Sequence, residues 1–130
     1  MREDSLSHGL KKREILRSPK LISHLFEHGA SLFVFPLKLI YTFNPNEKIG
    51  GQVQASFSVP KRNHKKAVTR NLLKRRMRES YRRHKPSMTD AHHDLLVMYI
   101  LVDKSVTSFE QMNSSMIQVN NKLIASIDRG

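Results

Sequence analysis

Two apolar periods alternate along the chain from Ser18 onward. Ser18-Pro19 has the form of a helix start, a hydroxyl N-cap followed by proline at the first helical position. Leu21, Ile22, Leu25 and Phe26 recur at helical spacing, and Gly29 is placed to end that helix. Residues 32–43 are rich in aromatic and aliphatic side chains and read as one strand, with Leu37, Leu39, Tyr41 and Phe43 on one face. Pro36 within it predicts an edge position or a bulge. Asn44-Pro45-Asn46 and Gly50-Gly51 bracket a turn. Residues 52–59 then alternate cleanly, Val53, Ala55, Phe57 and Val59 against Gln52, Gln54, Ser56 and Ser58.

After Pro60, residues 65–84 are predicted to be helical and residues 86–93 to form a loop. Residues 94–102 are an almost unbroken apolar run, the pattern of a strand buried on both faces. Thr107 with Glu110 reads as a capping box. It precedes an amphipathic helix carrying Phe109, Met112, Met116, Val119, Leu123 and Ile127. The order helix, strand, strand, helix, strand, helix predicts an α+β fold, a two-layer sandwich of helices on a small sheet. The 130 residues make a single domain, with the polar residues 1–10 expected to be flexible.

Composition narrows the class. No stretch approaches the ~18 apolar residues of a membrane span, and the first residues lack the apolar core of a signal peptide. No membrane contact and a cytoplasmic location are therefore expected. The absence of cysteine removes disulfides, thiolate metal sites and cysteine nucleophiles.

Charge changes the picture most. The chain carries 23 Lys and Arg against 11 Asp and Glu, a net +12. Residues 61–85 hold twelve of the bases and one acid, Glu79, so the remainder is close to neutral at +1. One segment with nearly all the charge points to a polyanionic partner. At 100° per residue, Arg70, Lys74, Arg78 and Arg82 form a ridge with Asn71 and Arg75 beside it, six side chains within about 140°. Val68, Leu72, Leu73 and Met77 fall largely on the other side, with Arg76 and Arg83 snorkelling at its border. Like charges four apart destabilise a lone helix, and the fork of arginine suits phosphate. Lys61, Arg62, Lys65 and Lys66 precede the positive end of the helix. The pattern says nucleic acid without saying which. A uniform arginine ridge with no paired short helix before it argues against a DNA-reading helix; a structural ribosomal module stays open.

Catalytic chemistry within the chain is not indicated. His24 and His28 have the spacing of a two-histidine metal site but lack a partner glutamate and a third ligand. His92-His93 read as solvent or weak phosphate contacts. The acids are scattered, without the pairing of a two-metal nuclease. No catalytic or metal-ligating residue is therefore assigned.

The stretch from Ala67-Val68 through Arg70-Asn71, Lys74-Arg75 and Arg78-Glu79 resembles the motif of the bacterial ribonuclease P protein family, roughly Ala-Val-x-Arg-Asn-x-x-Lys-Arg-x-x-Arg-Glu. Phe57-Ser58-Val59-Pro60-Lys61-Arg62 is similar to that family's strand ending in a basic pair. Leu10-Lys11-Lys12-Arg13, Leu25-Phe26-Glu27-His28-Gly29, Leu39-Ile40-Tyr41, residues 94–97 and Ser108-Phe109 extend the likeness over about residues 10–127. The resemblance implies a fold shared with the second domain of ribosomal protein S5, with a left-handed βαβ crossover against the usual rule. It implies a subunit that binds a catalytic RNA and promotes endonucleolytic removal of the 5′ leader from precursor tRNA. The RNA, not this chain, would hold Mg²⁺ and carry the chemistry, and no obligate protein partner is implied. Lys61, Arg62, Lys65, Lys66, Arg70, Asn71, Lys74, Arg75, Arg78 and Arg82 are the expected RNA contacts. Ile22, Phe26, Tyr41 and Ser58 would line the leader cleft between the first helix and the sheet. Ile22 stands where the family often has phenylalanine, so apolar contact replaces stacking there. The loop 63–66 is a residue longer than usual and lacks its common glycine.

Overall fold

The computed structural model describes residues 14–45, 52–85 and 94–129; residues 1–13, 46–51, 86–93 and Gly130 lie outside them, and with them part of the expected turn 44–51 and the expected loop 86–93. The first helix, α1 (Pro19–His28), begins as its sequence predicts. Ser18 Oγ accepts the Leu21 N–H at 3.3 Å, and proline occupies the first turn. It ends at Gly29, whose N–H donates to the Leu25 carbonyl. A Cβ at residue 29 would overlap that carbonyl oxygen and lie 2.6 Å from Ile40 Cγ2. Glycine is required here for space, because its φ of −75° is one that any residue adopts. Gly29→Ala is expected to destabilise the protein by about 1–3 kcal/mol, as overpacking does. The check is a lower denaturant midpoint at unchanged slope.

The apolar run 32–43 is two strands rather than one. β1 (Ala30–Val34) and β2 (Leu37–Phe43) pair antiparallel, Ala30 opposite Tyr41 and Val34 opposite Leu37. Phe35 and Pro36, joined by a cis peptide, make the turn. Pro36 thus sits in a hairpin turn instead of an edge or bulge, where a missing N–H interrupts no ladder. Its carbonyl accepts the Val102 N–H at 2.9 Å.

β3 (Val53–Ser58) runs parallel to β4 (Leu95–Leu101), and β2 flanks β4 antiparallel, giving the order β1-β2-β4-β3. Parallel neighbours need a crossover, and α2 (Ala67–Arg83) supplies it. Central β4 is buried on both faces, as its unbroken apolar run predicts. The last helix, α3 (Phe109–Arg129), is capped by Ser108, whose Oγ accepts the Gln111 N–H. Thr107, the expected cap, instead donates its hydroxyl to Asp103.

Alternation across the sheet builds two apolar clusters. On one face Leu37, Leu39, Ala55, Leu95, Val97, Tyr99 and Leu101 meet Leu73, Met77 and Tyr81 of α2 and Met112, Met116, Val119 and Leu123 of α3. These layers are the predicted sandwich. On the opposite face Ile40, Leu96 and Met98 meet Leu16 and Leu25, so α1 adds a partial third layer there. Phe57, Tyr81 and Tyr99 pack ring against ring with centroids 5.4–5.8 Å apart, fastening α2 to β3 and β4. Burial pushes the Tyr99 phenol pKa well up and raises that of Tyr81. Among the described residues, no helix is long and apolar enough to cross a membrane.

Candidate nucleic-acid interface

The basic helix is oriented by what it buries. Leu73, Met77, Ser80 and Tyr81 face the core, and Ser80 Oγ donates to Asn113 Oδ1 of α3 at 2.8 Å. Val68, expected on that side, is 81% exposed because the helix overruns the core at its first turn. Arg76 and Arg83 lie at the border, as predicted. The Arg76 guanidinium donates to the Thr107 carbonyl at 2.6 Å, while Arg83 lies 5.3 Å from the centre of the Phe109 ring.

The ridge residues divide into two groups. Arg70 turns back toward the preceding loop, its Nη1 donating to the carbonyls of His64 and Lys65 at 3.0 and 2.7 Å. His64 is buried, with Nε2 2.8 Å from the Asp103 carbonyl oxygen. Asp103 in turn accepts from the Ser105 N–H and from the hydroxyls of Ser105 and Thr107. The bond from the Ser105 N–H is the main reason its carboxyl pKa is lowered. These contacts pin the loop 61–66 against the loop 102–107 and fix where Lys61, Arg62, Lys65 and Lys66 emerge. Arg82 is also engaged: its fork grips Glu79 at 2.6 and 3.1 Å, and Arg83 joins at 3.0 Å. Hydrogen bonding from Arg82 is the principal cause of the lowered Glu79 pKa.

Lys74, Arg75 and Arg78 belong to the other group. They project from the helix without an ion pair or side-chain hydrogen bond to any described residue, and Asn71 is exposed beside them. Lys61, Arg62, Lys65 and Lys66 are likewise exposed. Lys66 occupies the N-cap position with no side-chain cap, and no acid stands in the first turn. Seven cations and an uncapped helix start therefore share one open surface, able to receive several phosphates.

The second predicted surface is brought together only in part. Ile22 packs against the α1-side cluster, and Phe26, one turn further along, is 56% exposed. Ser58 lies on the same sheet face, in register with Ile100. Tyr41 does not join them. It pairs with Val97 and packs on the α2–α3 side, so strand alternation sends it through the sheet to the other face. Ile40 is the β2 residue that faces α1. His24 and His28 stack with ring centroids 4.6 Å apart on α1, and among the described residues no group of three or more His, Cys, Asp or Glu could hold a metal ion. His92 and His93 lie outside the described residues.

The chain is similar to proteins already known. The family model described as Ribonuclease P matches residues 10–124. The ribonuclease P protein component of Chlorobium phaeobacteroides is 37% identical over 127 residues, covering 88% of this chain and 87% of that protein. The component from Porphyromonas gingivalis is 27% identical, covering 83% and 81%. Among solved structures, the RNase P protein from Thermotoga maritima superposes with a TM-score of 0.67 at 22% identity, over 85% of this chain and 97% of that one. The Staphylococcus aureus RNase P protein gives 0.66 at 20% identity, over 86% and 96%.

Proposed function

Because this chain belongs to the ribonuclease P protein family, we infer that its basic surface docks the ribonuclease P RNA and that the α1 side of its sheet holds the 5′ leader of precursor tRNA. The protein is a subunit of a ribonucleoprotein endoribonuclease that acts in tRNA 5′ maturation. The observation that carries the docking assignment is the open surface of Lys61, Arg62, Lys65, Lys66, Lys74, Arg75 and Arg78. A surface held at constant positive charge, with its acid confined to the far end at Glu79, is unfavourable for the free protein and relieved by phosphate. Arg70 acts there chiefly by shaping the basic loop, and Asn71 adds a neutral donor and acceptor. Arg82 reaches RNA only by sharing itself with Glu79.

The leader would lie against Ile22, Phe26 and Ser58, an exposed aromatic and hydroxyl edge of the kind that holds unpaired bases. Mg²⁺ would be held mainly by the RNA, where its chemistry would be activation of water for hydrolysis to a 5′-phosphate and a 3′-hydroxyl. This chain neutralises phosphates around that centre and fixes the substrate, contributions of position and field. We place this work in the cytoplasm, with no obligate protein partner.

The test is cleavage of a precursor tRNA by the RNA alone and by both components at low Mg²⁺. The protein is expected to lower the Mg²⁺ needed and to cleave nothing by itself. A protein that leaves cleavage by the RNA unchanged at every Mg²⁺ concentration would sink the assignment.

A further inference from the structure

On the α1 side of the sheet, strand register sets side chains in rows that cross all four strands. Ser31, Ile40, Met98 and Ser56 form one row, and Phe33, Lys38, Ile100 and Ser58 form the next. The middle of the first row is covered, since Ile40 and Met98 are buried in the cluster beneath α1, while Ser31 is exposed and Ser56 half-buried at its ends. The second is open. Phe33 is 51% exposed, Lys38 is exposed, and Ile100 and Ser58 are half-buried. From strand spacing the open row is about 14 Å long and about 7 Å from the covered one.

Phe33 has no part in the core. Its neighbours Leu32 and Val34 point through the sheet and pack against the α2–α3 cluster. The ring is nonetheless held in place. The Phe35 ring meets it edge-on with centroids 6.4 Å apart, and Ser115 Oγ donates to the Phe35 carbonyl at 2.8 Å. Lys122 Nζ donates to the carbonyl of Phe33 itself at 3.4 Å. A fixed, open ring beside a lysine on a sheet surface is a stacking platform with a phosphate contact at its edge.

We propose that this row extends the leader cleft across the sheet, with Phe33 stacking an unpaired base and Lys38 meeting its phosphate. The proposal rests on the leader reading given above and adds to it the nucleotides that α1 cannot cover. The occupant is single-stranded RNA because an aromatic ring, a cation and a hydroxyl share the row. Past Ser58 the strand also leads directly into exposed Lys61 and Arg62. A protein partner would call for a continuous apolar face, and Lys38 interrupts one. The consequence is a preference for longer leaders that is separable from docking of the RNA subunit.

The experiment measures affinity of the assembled holoenzyme for two precursor tRNAs, one with a leader of about ten nucleotides and one of about two. Phe33→Ala is expected to weaken binding of the long-leader substrate about tenfold, the effect of losing one stacked base. It leaves the short-leader substrate and the ribonuclease P RNA bound as before. Lys38→Ala is expected to weaken the long-leader substrate less and to flatten its salt dependence. Phe33→Tyr keeps the ring and is expected to restore long-leader affinity, which rules out a folding defect. Equal losses for both substrates, or a loss of affinity for the RNA subunit, overturn the proposal. So does an unchanged Phe33→Ala enzyme. Phe26→Ala, measured alongside, separates the two readings. If it weakens long-leader binding while Phe33→Ala does not, the extension falls and the cleft stands; if neither has an effect, the cleft reading falls too.

Discussion

Replacing Lys74, Arg75 and Arg78 together by alanine is expected to reduce affinity for the ribonuclease P RNA about a thousandfold. All three are cations on α2, Arg75 and Arg78 exposed and Lys74 half-buried, that pair with no described acid. A charge-assisted hydrogen bond to phosphate contributes about 1.5 kcal/mol, so three amount to roughly a factor of ten each. The salt dependence carries the sharper signature. Each lost phosphate contact removes about 0.7–0.9 from the log–log slope, so the triple variant is expected to lie two to three units flatter. Stability moves the other way. Fewer like charges on one helix leave the isolated protein as stable as before, or more so by a few tenths of a kcal/mol per pair. Filter binding across a salt series, together with a thermal melt, checks both. A triple variant with an unchanged slope would show that the RNA lies elsewhere, and one that melts early would show that the ridge has a structural role.

Asn120→Ala is expected to be the most damaging single polar change, costing about 3 kcal/mol. Asn120 is buried on α3 and bridges two elements. Its Oδ1 accepts the Tyr99 hydroxyl of β4 at 2.6 Å, and its Nδ2 donates to the His84 carbonyl just past α2 at 2.7 Å. Truncation leaves a fully buried phenol hydroxyl and a helix-end carbonyl without a partner, at about 1–3 kcal/mol each. Tyr99→Phe removes only one of these bonds and is expected to cost less. Because the two residues share a bond, the double variant is expected to be less destabilised than the sum of the single ones. Denaturant titration of the four proteins reads the coupling directly. Simple additivity would mean that the bridge is not where the stability resides.

Much of this fold is visible in local pattern. The Ser18 cap, the alternation of β3, the doubly buried β4 and the Met112–Leu123 stripe of α3 all lie where their periods put them. Each of those signals is carried by near neighbours in the chain. The failures share a different origin. Residues 32–43 hide a hairpin because both strands and the turn between them are apolar, leaving no polar punctuation at Phe35-Pro36. Val68 has the right helical phase but lies beyond the end of the core, which phase alone does not report. Thr107 and Ser108 are both competent caps, and the choice falls to Ser108 because Asp103 already accepts the Thr107 hydroxyl.

The site shows the same division. The cationic ridge is legible because charge and helical phase are local quantities. Whether a given cation is open is not, since Arg70 is turned back by backbone carbonyls and Arg82 by Glu79. Tyr41 is the clearest case. Alternation correctly groups it with Leu37 and Leu39, yet which face of the sheet α1 covers depends on contacts between elements distant in sequence. Phe33 could not be singled out from an aromatic-rich run until the register placed it beside Lys38.

The path of β3 has a consequence for how the holoenzyme is gauged. Ser58 lies at the edge proposed for the leader, and only Val59 and Pro60 separate it from Lys61, where the basic loop begins. Val59 is buried, and the loop is pinned through His64 and Arg70. A stretch of backbone about 10 Å long therefore joins the edge proposed for the leader to the basic loop proposed for RNA docking, with little slack at either end. On the proposed assignment the protein would be a short calliper: one jaw would rest on the catalytic RNA, the other on the strand to be removed, with β3 setting the gap.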